Sequence, residues 1–167
     1  TLIVSISHGL GCRNLLITNA AGCLVQEWNL GDLMLIQGYL DYTFIKNSNS
    51  PSIVHLEQDS TFLSKLKKIA LENDINLREG IYTWTLGPTY ETSAEIDDII
   101  SLGGTAVGMS TAPELMKAQE LKLNVIGISC LTNYGSGLQD ETLTHEAVLE
   151  TSSKIQNKFS EFMKKII

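Results

Sequence analysis

Residues 81–131 read IYTWTLGPTYETSAEIDDIISLGGTAVGMSTAPELMKAQELKLNVIGISCL, and apolar runs of strand length alternate there with segments of helical period. Ile81 to Leu86 predicts a strand, Thr92 to Leu102 a helix, Ala106 to Met109 a short strand, Thr111 to Leu121 a helix and Val125 to Leu131 another strand. A helix between successive strands lets them run parallel, so the predicted fold is α/β, a central largely parallel or mixed β-sheet flanked by helices.

Working outward, residues 2 to 10 look like the last turns of a helix stopped by Gly9 and Gly11. Leu15 to Thr18 predicts a buried strand, Asn19 to Gly22 a loop at its carboxyl end, and Asp32 to Ile36 a second strand after a Gly31-Asp32 turn. Asn, Ser and Pro make Lys46 to Asp59 an irregular segment. Ser60 or Thr61 is placed to cap a helix reaching about Asn73, with Phe62, Leu66, Ile69 and Ala70 on one face. Thr142 is placed to cap the final helix, whose stripe is Val148, Ile155, Phe159, Phe162 and Met163. With no repeat, low-complexity tract or linker, residues 1–167 are expected to form a single domain. Thr1 stands where a natural chain normally has Met and no capped beginning follows, so a fragment is expected.

Nineteen acidic against 12 basic residues, a net charge of −7, would repel a phosphate backbone, which argues against a nucleic-acid partner, and none is expected. A single phosphate needs only a few local donors and is not excluded. Cys12, Cys23 and Cys130 lack C-x-x-C spacing and nearby histidines, so no zinc site is expected and the thiols are read as free, buried and in a reducing compartment. The apolar run from Leu123 to Leu131 is too short to cross a bilayer and no leader opens the chain, so a cytoplasmic protein with no membrane partner is expected.

Polar residues gather just after the predicted strands, where the loops of an α/β sheet converge on ligands. Glu91, between an aromatic and a helix start, is an acceptor suited to the ring N–H and exocyclic amine of a guanine-like base, though it also fits a helix cap. Tyr90 is placed to lie on the base or to fill the core. Ser110 and Thr111, before Pro113, suggest an anion seat of hydroxyls and free backbone N–H groups, or simple helix capping. Met109 fits a ribose face or core filling, and Asn133 fits either a turn or, with one donor and one acceptor, a purine's O6 and N7. His145 opens the last helix, either solvated or bonded to a sugar hydroxyl.

The chain resembles the trimeric, 6-oxopurine-specific class of purine nucleoside phosphorylases along nearly all its length. The carrying motifs are LLITNAAG at 15–22, GDLMLI at 31–36, EGIYTWTLGPTYETSAE at 79–95, AVGMSTAPE at 106–114, GISCLTNYGSGL at 127–138 and HEAVL at 145–149. The resemblance implies that Glu91 and Asn133 recognise the purine and act in catalysis, Tyr90 packs on it, Met109 contacts ribose and His145 reaches the 5′-hydroxyl. It also implies that the Ala20 backbone and the Ser110 hydroxyl hold phosphate. The implied reaction is phosphorolysis of the N-glycosidic bond to free base and ribose 1-phosphate, with inorganic phosphate as co-substrate, no metal or organic cofactor, and a homotrimer as the assembly. Asn133, where the methylthioadenosine branch has aspartate, implies inosine- and guanosine-type substrates.

The chain departs from the pattern in several places. The family's Gly- and Ser-containing phosphate loop, and an arginine and a histidine on phosphate, fall before Thr1, so the resemblance covers the C-terminal two-thirds of the family fold. Cys23 replaces a second glycine, and the segment near Lys46 to Asp59 is shorter than the family's loop. An exposed sheet edge and an apolar patch are expected in consequence. A catalytically impaired purine-binding remnant and, more weakly, a methylthioadenosine-type phosphorylase are the competing readings.

Overall fold

Strand β6 (Asn124–Tyr134) is mostly apolar and is buried from Val125 to Asn133, so it must be covered on both faces. In the computed structural model, which describes residues 1–45, 51–139 and 145–166, β6 pairs in parallel with β1 (Asn14–Cys23) and antiparallel with β2 (Leu33–Asp41). On its other edge β2 pairs in parallel with β4 (Leu77–Trp84), and β4 with β5 (Ala106–Gly108). Strand β5 meets the end of β1 antiparallel at Gly22 and Cys23. The sheet therefore closes into a ring of β2, β4, β5, β1 and β6, with β3 (Ile53–His55) antiparallel beside β2.

Side-chain alternation divides the core. Met34 and Ile36 of β2, Val125 and Leu131 of β6, and Ala21 and Cys23 of β1 share one cluster with helix α4 (Ala112–Glu120), through Leu115 and Ala118, and with Val4 of helix α1 (Leu2–Gly9). Leu33, Leu35, Ile126, Ile128 and Cys130 face the opposite way, onto Leu66 and Ala70 of α2 (Ser60–Glu72) and Phe162 and Ile166 of α5 (His145–Ile166). Helix α3 (Ser93–Ser101) adds Ile96 and Ile99 to a third cluster with Leu24 and Val107.

The α/β class and the mixed sheet agree with the sequence reading, and several local expectations are corrected. The segment 19–22 is strand, because β1 runs on to Cys23, and Leu15, Leu16 and Ile17 are only half-buried. Strand β2 extends to Asp41 and β4 starts at Leu77. Asp59 caps α2 in place of Ser60 or Thr61, accepting the Phe62 N–H at 2.7 Å. Within the irregular segment, residues 53–55 form β3. Cys12 is exposed, unlike the buried Cys23 and Cys130. Among the described residues the expected free edge is found on the outer side of β3, which pairs only with β2, and along residues 14–21 of β1, whose second edge meets β5 only at Gly22 and Cys23. An apolar patch is present on α1, where Leu2, Ile3 and Ile6 are exposed. The Thr142 cap lies outside the described residues.

Candidate functional site

Two irregularities in pairing shape the mouth of the ring. Ala21 sits opposite Leu131 but Gly22 opposite Asn133, so Thr132 is an extra residue in β6, a bulge that re-aims the side chains beside it. Asn133 is therefore a strand residue aimed by a bulge and not a turn residue. Gly22 makes room for it, because a Cβ there would lie 3.1 Å from both Asn133 Nδ2 and Val107 Cγ1. The Thr132 hydroxyl donates to Asn133 Oδ1 at 3.0 Å, and Asn133 Nδ2 donates to the Tyr134 carbonyl at 3.0 Å. This sets the amide's orientation and leaves Nδ2 one further hydrogen.

From the other side, β4 is followed directly by Thr85, whose hydroxyl donates to Glu91 Oε1 at 2.6 Å. The helix-cap reading of Glu91 does not hold. Thr92 caps α3, its hydroxyl accepting the Glu95 N–H while Glu95 Oε2 accepts the Thr92 N–H at 2.8 Å, a reciprocal capping box. Tyr90 and Met109 are both more than a third exposed, so neither is core filling. Gly87, at φ 67°, lies against Met109, and a Cβ there would meet the Met109 sulfur at 2.3 Å.

After β5 the backbone turns sharply. Thr111 has φ 72° and ψ −48°, and the Ala112 N–H donates to the Ser110 carbonyl at 2.7 Å, which together make the strained form of the γ-turn. Such a conformation costs on the order of 1–3 kcal/mol for a non-glycine residue and persists only where its surroundings enforce it. Pro113 falls in the first turn of α4 as expected, but Thr111 makes no side-chain cap. The expected free backbone N–H groups are also largely spoken for. Ser110 N–H donates to the Tyr82 hydroxyl at 3.3 Å, Ala112 N–H is held in the γ-turn, and Pro113 has none. The hydroxyls of Ser110 and Thr111, 3.1 Å apart, remain as the donors of this loop. Burial pushes the Tyr82 phenol up, an effect opposed by its hydrogen bonds from Ser110, so Tyr82 stays a neutral hydroxyl beneath them.

These elements enclose a cavity of about 280 Å³. Ala20, Tyr90, Glu91, Met109, Ser110 and Asn133, six of the residues singled out from the sequence, all line it. His145 opens α5, and its side chain lies outside the described residues. Glu91 is the one charged residue on the wall among the described residues, so any anion bound there meets dipoles and not a cation. Among the described residues no cluster of three metal-ligating side chains is present, and no helix is long and apolar enough to cross a membrane.

The sequence reading missed Thr85, Thr132 and Gly22. A threonine just past a strand and a glycine opposite an amide have no local signature, because their roles depend on residues distant in the chain or on a bulge. The T-x-x-E pattern of Thr92 and Glu95 was the available sign that Glu91 is not the cap.

The sequence profile of the Phosphorylase superfamily matches residues 3–167. Purine nucleoside phosphorylase 1 of Geobacillus stearothermophilus is 37% identical over 176 residues, an alignment that takes in 100% of this chain and 64% of the relative. The crystal structure of Schistosoma mansoni purine nucleoside phosphorylase in complex with inosine superposes with a TM-score of 0.86 at 26% identity, covering 99% of this chain and 64% of that one. The complex of that enzyme with adenosine matches equally well, at a TM-score of 0.86 and 26% identity, with 99% and 65% covered. The chain thus spans a little under two-thirds of the length of these proteins.

Proposed function

This chain belongs to the Phosphorylase superfamily, and we propose that it binds a 6-oxopurine nucleoside and inorganic phosphate in the cavity between β1, β4, β5 and β6 and performs phosphorolysis of the N-glycosidic bond. The observation that supports this most strongly is that Glu91 and Asn133, 42 positions apart in sequence, open onto the same cavity, with Ala20 and Ser110 also on its wall. The anchored carboxylate takes the donors of the base, and the Asn133 amide donates toward N7 and O6. Tyr90 lies on the ring, Met109 covers the ribose and His145 takes the 5′-hydroxyl. The Ala20 backbone and the Ser110 hydroxyl hold phosphate. Residues 1–167 act as one domain in this reading.

In the reaction a phosphate oxygen forms a bond to the anomeric carbon as the carbon–nitrogen bond to the base breaks. The bonding pair leaves with the purine. Negative charge therefore grows on the base, and the free Nδ2 hydrogen of Asn133 interacts more strongly with the transition state than with bound nucleoside, which is the condition for acceleration. Products are free purine and ribose 1-phosphate. No metal or organic cofactor takes part, phosphate being the co-substrate. The setting proposed is cytoplasmic purine salvage by a homotrimer, which fits the three free thiols and the exposed Leu2, Ile3 and Ile6 of α1.

Release of hypoxanthine from inosine, followed with and without phosphate, tests this directly. Turnover only in the presence of phosphate is expected, with inosine preferred to adenosine. Hypoxanthine binding without turnover would replace the proposal with a non-catalytic purine-binding protein, and a preference for adenosine or methylthioadenosine would overturn the assignment of the base.

A further inference from the structure

Asn19 does not line the cavity, yet its Nδ2 donates to Thr111 Oγ1 at 2.8 Å, and Thr111 Oγ1 lies 3.1 Å from Ser110 Oγ. Its Oδ1 is buried with no hydrogen-bond partner among the described residues. That arrangement of the amide is the favourable one, since turning it over would bury the two N–H donors unpaired in place of one carbonyl oxygen. We propose that Asn19 is a positioning residue that sets the direction of a hydroxyl chain, so that Ser110 presents its proton, and not a lone pair, to phosphate. This rests on reading Ser110 as a phosphate ligand.

The argument follows from what each group can do. An amide nitrogen only donates, so Thr111 Oγ1 must accept from Asn19. A hydroxyl that already accepts becomes a better donor, and its own proton passes to Ser110 Oγ. Ser110 Oγ in turn has its proton left for the cavity. Tyr82 adjoins the pair: its hydroxyl takes the Ser110 N–H and lies within hydrogen-bonding reach of the Ser110 and Thr111 hydroxyls, and its own proton, turned toward them, would reinforce the direction that the amide sets. The same bond pins the side chain of Thr111 at its strained γ-turn, 92 positions away in sequence.

An aspartate at position 19 has the same shape and the opposite polarity. It accepts the Thr111 proton, Thr111 then accepts from Ser110, and Ser110 turns a lone pair toward the anion. The test measures KM for phosphate and for inosine in wild type, Asn19→Asp, Asn19→Ala, Thr111→Val and Ser110→Ala, with phosphate-induced thermal shift as a readout independent of turnover. Asn19→Asp is expected to raise the phosphate KM at least about tenfold, the weight of a hydrogen bond to a charged acceptor, with the inosine KM within about twofold. Asn19→Ala is expected to raise it less, and to add nothing once Thr111 is valine.

The pH profile separates direction from mere packing, and the pair Asn19→Ala and Thr111→Val, which adds no charge, separates it from repulsion between a carboxylate and the anion. On acidification the new carboxyl regains an O–H donor, so the ratio of the Asn19→Asp to the wild-type phosphate KM should shrink toward pH 5. The titratable groups facing the chain, Tyr82 and Glu91, are common to both proteins and cancel in that ratio. A ratio that is flat with pH, or an Asn19→Asp phosphate KM within twofold of wild type while Ser110→Ala raises it, would overturn the proposal. A wild-type chain showing no phosphate-dependent shift or turnover sinks the phosphate reading, and this proposal with it. Should Asn19→Asp fail to fold, the cycle of Asn19→Ala with Thr111→Val decides alone, and additive effects count against the chain.

Discussion

Asn133 is held by three neighbours that no local pattern announces. Thr132 fixes its oxygen, Tyr134 takes one hydrogen, and Gly22 leaves the space. A carboxylate at the same point keeps the shape but has no hydrogen for a purine O6 or N7, so Asn133→Asp is expected to lower kcat/KM for inosine by about 100-fold or more and to shift preference toward 6-aminopurines. An unchanged ratio of inosine to adenosine cleavage counts against the assignment. Thr85 acts on Glu91 in the same indirect way, through its 2.6 Å hydrogen bond. Thr85→Val is nearly isosteric and frees the carboxylate, and about a tenfold drop in kcat/KM for inosine is expected, with little change in the melting temperature. Equal activity would mean that Glu91 needs no anchor.

At the scale of elements, the local signals of the sequence were read well and the long-range ones were not. Strand and helix periods are written within a few residues, which is why α3 and α4 fall close to their expected bounds. The ends of β1, β2 and β6 run further than expected because pairing with distant strands prolongs them beyond the point where the apolar run stops. Caps follow the same division. Thr92 and Glu95 make a local box, whereas Asp59 displaced two equally plausible hydroxyls as the cap of α2. Asp59→Ala should therefore cost about 1 kcal/mol of stability in urea unfolding, while Ser60→Ala should cost only a few tenths. The reverse order would show that the helix starts one residue later in solution.

For the whole molecule, six of the eight residues picked from the sequence share one cavity because they lie near or just beyond the ends of strands that the ring gathers at one end. The ring itself was not legible, since the antiparallel contact of β2 with β6 joins segments over 90 positions apart and depends on the bulge after Ile36, where β2 exchanges β6 for β3. Closure buries β6 on both faces, and Cys130 with it. Desolvation there raises the thiol from 9.0 to about 11. The sign follows from the unfolded chain, in which the thiol ionises near 9 while the folded one stays protonated. Stability from this group is thus fully present below pH 9 and is lost as pH rises from 9 to 11. Burial raises Cys23, Tyr39 and Tyr82 in the same direction, so the melting temperature should fall steadily over this range. Cys130→Ala should flatten part of that fall, compared with wild type at each pH. Thiol labelling at pH 8 gives the complementary measurement: exposed Cys12 should react at once, and Cys130 only at the rate at which the ring opens. Rapid labelling of Cys130 in the folded protein would mean that β6 is not enclosed.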